Sequence, residues 1–261
     1  MITPRVIDLF HGDVMVSDAH KTDPVGDFSA LKQAGIYGLI HKATQGLGVN
    51  DPAYAVRVRN ARSAGLLTAA YHYNTGDTVQ GQLNHFFDAA QPDNQTMMAL
   101  DFEDNRASQM TLAQAVQFLQ LGDEKLGRPL WLYSGNRIKT LITSASLEVR
   151  TVFAKRPFWL AQYGQVAKMV DVNGKPLPWA APTLWQFTGD GIGQMPHALP
   201  GILTKGIDIN SYAGTLEQLK ADWCALPFPK PVLVADVNRP VAPPVRESWL
   251  ESLLARIKSV S

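Results

Sequence analysis

Several features that mark common protein classes are scarce or missing in this sequence. Its only cysteine, Cys224, excludes an intramolecular disulfide framework and a cysteine-based zinc site. The 24 lysines and arginines nearly balance the 23 acidic residues, and without a basic run we expect no binding to nucleic acid. No segment approaches the ~18–20 uninterrupted apolar residues of a membrane span.

Motifs for cofactors and for serine nucleophiles are also absent. There is no G-x-G-x-x-G string, no phosphate-binding loop and no G-x-S-x-G string, and the histidines follow no metal-binding spacing. We therefore expect neither a cofactor nor a bound metal. Hydrophobic residues make up 46% of the 261 positions, which is enough for one substantial core.

Short apolar runs alternate with helical patterns almost to residue 225. This alternation predicts a parallel sheet with right-handed crossovers, and eight strands at this spacing favour a barrel over an open sheet. Segments 164–182 and 188–205 are rich in glycine and proline, which predicts loops in place of helices and an irregular barrel. The predicted strands are 6–10, 37–44, 67–73, 97–103, 130–134, 158–163, 184–187 and 206–210.

Helical patterns are predicted over 28–34, 52–64, 112–126 and 215–223, with Thr111 as a cap and Gly127 as a stop. We assign residues 1–225 to the barrel. Residues 226–245 contain six prolines, which predicts a stiff linker. Residues 246–261 form an amphipathic pattern, so we expect a helix that docks on the barrel or mediates self-association.

Acidic residues lie at the ends of the predicted strands. Asp8 belongs to the first strand, Asp101 and Glu103 to the fourth, and Asp208 to the last. The active sites of barrels lie at the C-terminal ends of their strands. Residues two apart on a strand share a face, with Cα atoms about 6.6 Å apart. Crowded carboxyl groups raise one another's pKa, so one keeps its proton while another is ionised, which is what glycosidic cleavage requires.

Aromatic and amide side chains also gather near the predicted strand ends. Sugars present apolar ring faces and a rim of hydroxyl groups, which aromatic rings, phenols and amides can bind. This pattern favours a carbohydrate cleft over a phosphate site. The candidate substrate-binding residues are Tyr71, Tyr133, Trp159, Gln162, Trp185 and Gln186.

Two other interpretations of the acidic residues stay open on the sequence alone. The first is a metal-dependent barrel hydrolase, similar to a phosphodiesterase, with Asp8, His11, Asp101 and Glu103 as ligands. The second is a glycan-binding protein without catalysis.

A series of ordered strings covers residues 5–225. They are VIDLFHG, GLIHKATQG followed by DPAY, AAYHY, ALDFEDN, PLWLYSG, FWLAQYG, LWQFTGDG and GIDIN. In this order they resemble the lysozymes of glycoside hydrolase family 25. The resemblance implies an irregular TIM-like (β/α) barrel and an N-acetylmuramidase, which cleaves the β-1,4 bond from N-acetylmuramic acid to N-acetylglucosamine in peptidoglycan.

The resemblance also implies roles for individual residues. Asp101 and Glu103 match the acidic D-x-E strand, with Glu103 as the general acid. Asp101 would stabilise positive charge or assist attack by the N-acetyl group of the substrate. Asp8 and Asp208 match the first-strand and last-strand aspartates that tune this pair, and Tyr71 matches a further cleft residue. Retaining, inverting and substrate-assisted mechanisms stay open.

Two positions depart from the family pattern: Phe10 stands where serine is usual, and Gln45 where glutamate is usual. Both positions flank the four acids, so we expect the departures to affect the details of substrate recognition more than the activity. The N-terminal string MITPRVIDLFHGD lacks the pattern of a signal peptide. We therefore expect synthesis in the cytoplasm, and action on the cell wall after release or dedicated secretion.

Overall fold

The structure, a computed structural model, describes residues 3–105 and 108–224. The predicted linker over 226–245 and the predicted C-terminal helix over 246–261 lie outside the described residues. Within the described ranges, no helix combines the length and the apolar character needed to cross a bilayer.

Ten strands and eight α-helices follow one another in the described part of the chain. The strands are β1 (Arg5–Leu9), β2 (Ile36–Gln45), β3 (Val49–Asn50), β4 (Leu67–Tyr73), β5 (Thr96–Asp101), β6 (Trp131–Ser134), β7 (Phe158–Ala161), β8 (Leu184–Gly189), β9 (Ile192–Gly193) and β10 (Asp208–Tyr212). The helices are α1 (Val16–His20), α2 (Pro24–Gln33), α3 (Tyr54–Ser63), α4 (Val79–Ala90), α5 (Leu112–Leu126), α6 (Asn136–Leu141), α7 (Leu147–Ala154) and α8 (Leu216–Trp223).

Eight of these strands close into a barrel, which confirms the predicted fold class. Strands β1, β2, β4, β5, β6, β7 and β8 run parallel in that order, and β10 closes the ring by pairing antiparallel with β8 and β1. The prediction of an all-parallel sheet is therefore wrong for the last strand. Between β8 and β10 the described residues form the short strand β9 and no helix. Two neighbouring strands run parallel only when a crossover returns the chain to the other end of the barrel. Because no crossover helix does so here, β10 runs antiparallel to β8.

The reversed direction of β10 decides where Asp208 lies. As the first residue of an antiparallel strand, it lies at the same end of the barrel as the last residues of the parallel strands. The β1–β10 register pairs it directly with Asp8. A parallel strand would carry a residue at this position to the opposite end.

Strand residues alternate between the barrel interior and the surrounding helices. Ile40, Met97, Ala99 and Trp131 pack together inside the barrel. Their neighbours along the strands pack outward, against α3, α4, α5 and α7 on one side and against α2 and α3 on the other. This alternation follows from the two-residue period of a strand.

Helix α5 shows how local sequence fixes an element. The Thr111 hydroxyl accepts a hydrogen bond from the Gln114 N–H at 3.2 Å, and the Gln114 side chain accepts one from the Thr111 N–H at 2.9 Å. Gly127 ends the helix with a φ of 75°, a left-handed conformation that suits glycine. The predicted cap and stop are both confirmed.

Helix α8 closes the bottom of the barrel. Trp223 is 1% exposed, packs within the interior core, and lies 6.0 Å from the ring of Trp131. Its indole N–H donates to the Thr68 carbonyl, near the start of β4, at 2.9 Å. The apolar side chain of Trp223 therefore closes the barrel interior at the end opposite the acidic residues.

We predict that Trp223→Ala lowers the free energy of unfolding by about 3–5 kcal/mol, because it opens a cavity and leaves the Thr68 carbonyl without its donor. Chemical denaturation followed by circular dichroism measures this. Leu203→Ala, at a position 45% exposed, is the control and should stay within ~0.5 kcal/mol. A cost below about 1 kcal/mol for Trp223→Ala would contradict a closing role for α8.

Candidate active site

The carboxyl group of Asp8 is the centre of a hydrogen-bond network at the barrel mouth. Gln186 Nε2 donates to both of its oxygens at 3.1 Å, and Asn210 Nδ2 donates at 2.7 Å. The Tyr133 hydroxyl donates to Gln186 Oε1 at 2.9 Å, and the Trp159 indole N–H donates to Asn210 Oδ1 at 2.5 Å. The two aromatic donors therefore orient the two amides, so that both NH₂ groups point to Asp8.

Asp208 shares a hydrogen bond with Asp8, in which Asp208 holds the proton. Burial and the repulsion of Asp8 raise the pKa of Asp208 to about 9. Burial also raises the pKa of Asp8, to about 6, although the bonds from Asn210 and Gln186 oppose this. Near neutral pH, this pair therefore carries one proton and one negative charge.

Asp101 ends β5, and Glu103 follows it in the next loop. Phe102 between them is fully buried in the outer core, and its N–H donates to the Tyr133 carbonyl at 2.9 Å. Because side chains alternate along an extended chain, the two carboxyl groups on either side of Phe102 turn inward.

The environment raises the pKa of both members of this second pair. Burial lifts the pKa of Asp101 well above its usual range, with repulsion from Glu103 added and attraction from Lys42 opposing. Burial and then repulsion from Asp8 and Asp104 raise the pKa of Glu103 to about 7. One proton is therefore available on the pair near neutral pH, as general acid catalysis needs.

Asn74 supports the chain that carries these acids. Its Nδ2 donates to the carbonyls of Asp101 and Glu103, at 3.0 Å each. Asp101 Oδ1, by contrast, is buried without a hydrogen-bond partner among the described residues. Buried polar atoms without a partner are rare in folded proteins and cluster at functional sites.

The structure also brings residues to the mouth that sequence reasoning missed. Lys42 Nζ donates to Gln45 Oε1 at 2.6 Å and lies 4.9 Å from the centre of the Tyr73 ring. The signal for Lys42 was present, since it follows the inward-facing Ile40 by two residues on a strand whose first half is apolar. Asn210 likewise follows Asp208 by two residues and so shares its face.

Three of the predicted substrate-binding residues lie beside the acids. They are Tyr71, Tyr133 and Gln186, and the acidic groups together with burial hold the pKa of both tyrosines well above the usual range. Trp159 lies deeper, 1% exposed, with its ring centre 4.3 Å from that of Tyr133. Its contact with Asn210 makes it part of the support beneath the mouth.

The other two predicted residues are placed differently. Gln162 binds Lys139 Nζ and donates to the Val166 carbonyl at 3.1 Å, so its own loop holds it. Trp185 packs against both hydrophobic clusters outside the barrel, and its indole N–H donates to the Gln162 carbonyl at 2.7 Å. Trp185 and Gln186 are consecutive on β8 and point to opposite faces, so only Gln186 faces the interior.

The alternative with metal ligands is not favoured by the geometry. His11 Nδ1 binds Asp51 Oδ2 at 2.9 Å instead of joining the acids of the mouth. Among residues 3–105 and 108–224, no three His, Cys, Asp or Glu side chains are grouped as a metal site requires.

Comparison with known proteins agrees with the barrel. A lysozyme from Streptomyces coelicolor has a similar structure, with a TM-score of 0.69 and 22% identity over 86% of this chain and 98% of that one. The autolytic lysozyme of Clostridium acetobutylicum is 25% identical over 56% of this chain and 44% of its own length. Lysozyme M1 of Streptomyces globisporus is 24% identical over 75% of this chain and 66% of its own. The chain thus spans less than two thirds of these two relatives.

The sequence model of glycosyl hydrolases family 25 matches residues 17–194. This range contains Asp101, Glu103 and most of the barrel strands. Since the match covers well over half of the 261 residues, the chain belongs to glycosyl hydrolases family 25.

Proposed function

We propose that this chain hydrolyses the β-1,4 bond between N-acetylmuramic acid and N-acetylglucosamine in peptidoglycan. The observation that carries the proposal is the meeting of four carboxyl groups, all with raised pKa values, at one barrel mouth. Membership of family 25 and the names of the two lysozyme relatives support the same substrate. The place of action is then the cell wall.

Glu103 is the general acid in this proposal. Its pKa of about 7 lets it hold a proton near neutral pH and still donate it to the leaving oxygen. Asp101 either stabilises positive charge at the sugar carbon or assists attack by the N-acetyl group of the substrate.

The remaining residues of the mouth hold this pair in place and set its charge. Asp8 and Asp208 together add one negative charge that favours the proton on Glu103. Tyr71 and Tyr133 line the same interior as ring surfaces for the sugar. Gln186 fixes Asp8 through the bonds described above.

We predict that Glu103→Gln lowers the rate of peptidoglycan hydrolysis by about 10²–10⁴-fold, because the amide cannot donate the proton. Mass analysis of soluble fragments measures the rate and the bond cleaved, with reducing ends expected on muramic acid. Glu217→Gln, an exposed position on α8, is the matched control and should behave as the wild type.

Near-wild-type turnover by Glu103→Gln would overturn the assignment of the acid. Tight binding of peptidoglycan by the wild type without new reducing ends would overturn the enzymatic function and indicate a glycan-binding protein.

We predict that kcat/KM falls as pH rises through the pKa of Glu103, about 7. Above this value Glu103 loses the proton that it must donate to the leaving oxygen. Rates measured from about pH 4 to 9 at constant ionic strength test this. A rate that keeps rising to about pH 9 would contradict it.

We predict that Asp208→Asn stabilises the fold at alkaline pH. The pKa of Asp208 is about 9 in the folded state and 3.8 ordinarily, so the folded wild type binds more protons and loses stability as pH rises between these values. Asparagine has no such proton and can still donate to Asp8. Thermal unfolding should show a gain of at least ~1 kcal/mol at pH 8 that shrinks towards pH 4. An equal gain at both pH values would show that titration is not the cause.

A further inference from the structure

The turn that follows β1 carries an exposed phenyl ring at the rim of the barrel. Phe10 is 42% exposed, whereas Leu9 beside it is 2% exposed and packs in the outer core. Since side chains alternate along an extended chain, Phe10 projects from the same face as Asp8, the face of the barrel interior. Single exposed apolar side chains are ordinary on protein surfaces. What sets Phe10 apart is how firmly its turn holds it.

The backbone of Phe10 is fixed by its own turn and by a buried cation. Its N–H donates to Asp13 Oδ2 at 2.9 Å, and its carbonyl accepts from the Asp13 N–H at 3.1 Å. The same carbonyl accepts from Arg57 Nη1 at 2.8 Å. Arg57 is 6% exposed and also donates to the Asp13 carbonyl, so one guanidinium group holds both ends of the turn.

The ring of Phe10 is seated on the same turn. A Cβ atom on Gly12 would lie 2.3 Å from the Phe10 Cζ atom, so the ring occupies the space that a side chain at position 12 would need. The His11 ring meets it edge-on, with 5.3 Å between the centres and 78° between the planes. Asp51 in turn holds His11, through its backbone N–H and through Nδ1, at 2.9 Å each. A ring that is held before binding loses little conformational entropy when a ligand packs on it.

The strand register places this ring beside the acids. β1 and β2 pair Leu9 with His41, so the next step of the register brings Phe10 level with Lys42 at the mouth. The Cα atom of Phe10 is two residues beyond Asp8, at most ~7 Å further out along the chain. A polysaccharide bound at the acids extends in both directions from the cleaved bond and so passes over the rim.

We propose that Phe10 is a platform on which a sugar of the glycan strand stacks, outside the two sugars joined by the cleaved bond. The inference rests on the proposed function. A pyranose ring has an apolar face of C–H groups, which packs well on an aromatic ring. Serine is usual at this position in the family, so the platform distinguishes this chain from the family pattern. Phe10 is a binding residue and does not touch the reacting atoms.

The first test compares the hydrolysis of peptidoglycan by the wild type and by Phe10→Ser. We expect KM to rise about 3–10-fold, the loss typical of one aromatic contact. We expect kcat to stay within about twofold, because the lost contact is the same in the ground state and the transition state. Phe10→Tyr keeps the ring and should keep KM. Leu147→Ser, at a position 77% exposed on α7, is the matched control and should change neither constant.

A binding measurement separates stacking from other causes of a higher KM. The probe is a tetrasaccharide of alternating N-acetylglucosamine and N-acetylmuramic acid without stem peptides, added to Glu103→Gln so that it is not cleaved. Proton NMR should show upfield shifts of the C–H protons of one sugar, because they lie over the Phe10 ring. In the variant that carries both Phe10→Ser and Glu103→Gln, these shifts should disappear and Kd should rise about 3–10-fold.

Thermal unfolding checks that Phe10→Ser folds, and Phe10→Leu, which keeps an apolar side chain without a ring, supplies the measurement if it does not. Unchanged KM and Kd, or the absence of shifts that depend on Phe10, would overturn the inference. A loss that appears only with glycan strands carrying stem peptides would also overturn it, because the ring would then contact the peptide. Shifts that depend on Phe10, together with a wild type that releases no reducing ends, would instead overturn the proposed function and leave the platform intact.

Discussion

Asp8 and Asp208 face each other across two antiparallel strands, and the hydrogen bond between their carboxyl groups exists only while one of them keeps a proton. Two negative charges on hydrogen-bonded carboxyl groups in a buried site would repel each other strongly, since little water screens them. The amide groups of Gln186 and Asn210 stabilise the single charge on Asp8, and Tyr133 and Trp159 orient those amides. The aromatic residues of the interior thus act on the acids through hydrogen bonds as well as by packing.

The second acidic pair sits in the field of the first. Glu103 is repelled by Asp8, while Asp101 lies deeper. A barrel suits this arrangement because neighbouring strands bring inward side chains from distant parts of the sequence to the same height. The packing of Trp223 in the interior core closes the opposite end of the barrel, so the four acids lie at the open end.

Much of the fold and the clustering of the acids could be predicted from the sequence, because both depend on local sequence patterns. Strand β4 and helix α5 have the bounds that periodicity and caps predict, since Thr111 and Gly127 act within one turn of the helix. The clustering of acids at strand ends could be predicted because burying a carboxylate beside an apolar run is costly and is rare without a function. Trp185 could not be placed in the same way, because a shift of one residue in a short strand exchanges the two faces.

The sequence by itself determined the number and order of the barrel strands, the apolar core and the identity of the four acids. Only the tertiary structure decided the direction of β10 and the pairing of Asp208 with Asp8. The physical reason is that strand propensity and burial are local properties, whereas strand direction depends on how a connection crosses the sheet. Electrostatic coupling depends likewise on distances between residues far apart in the chain.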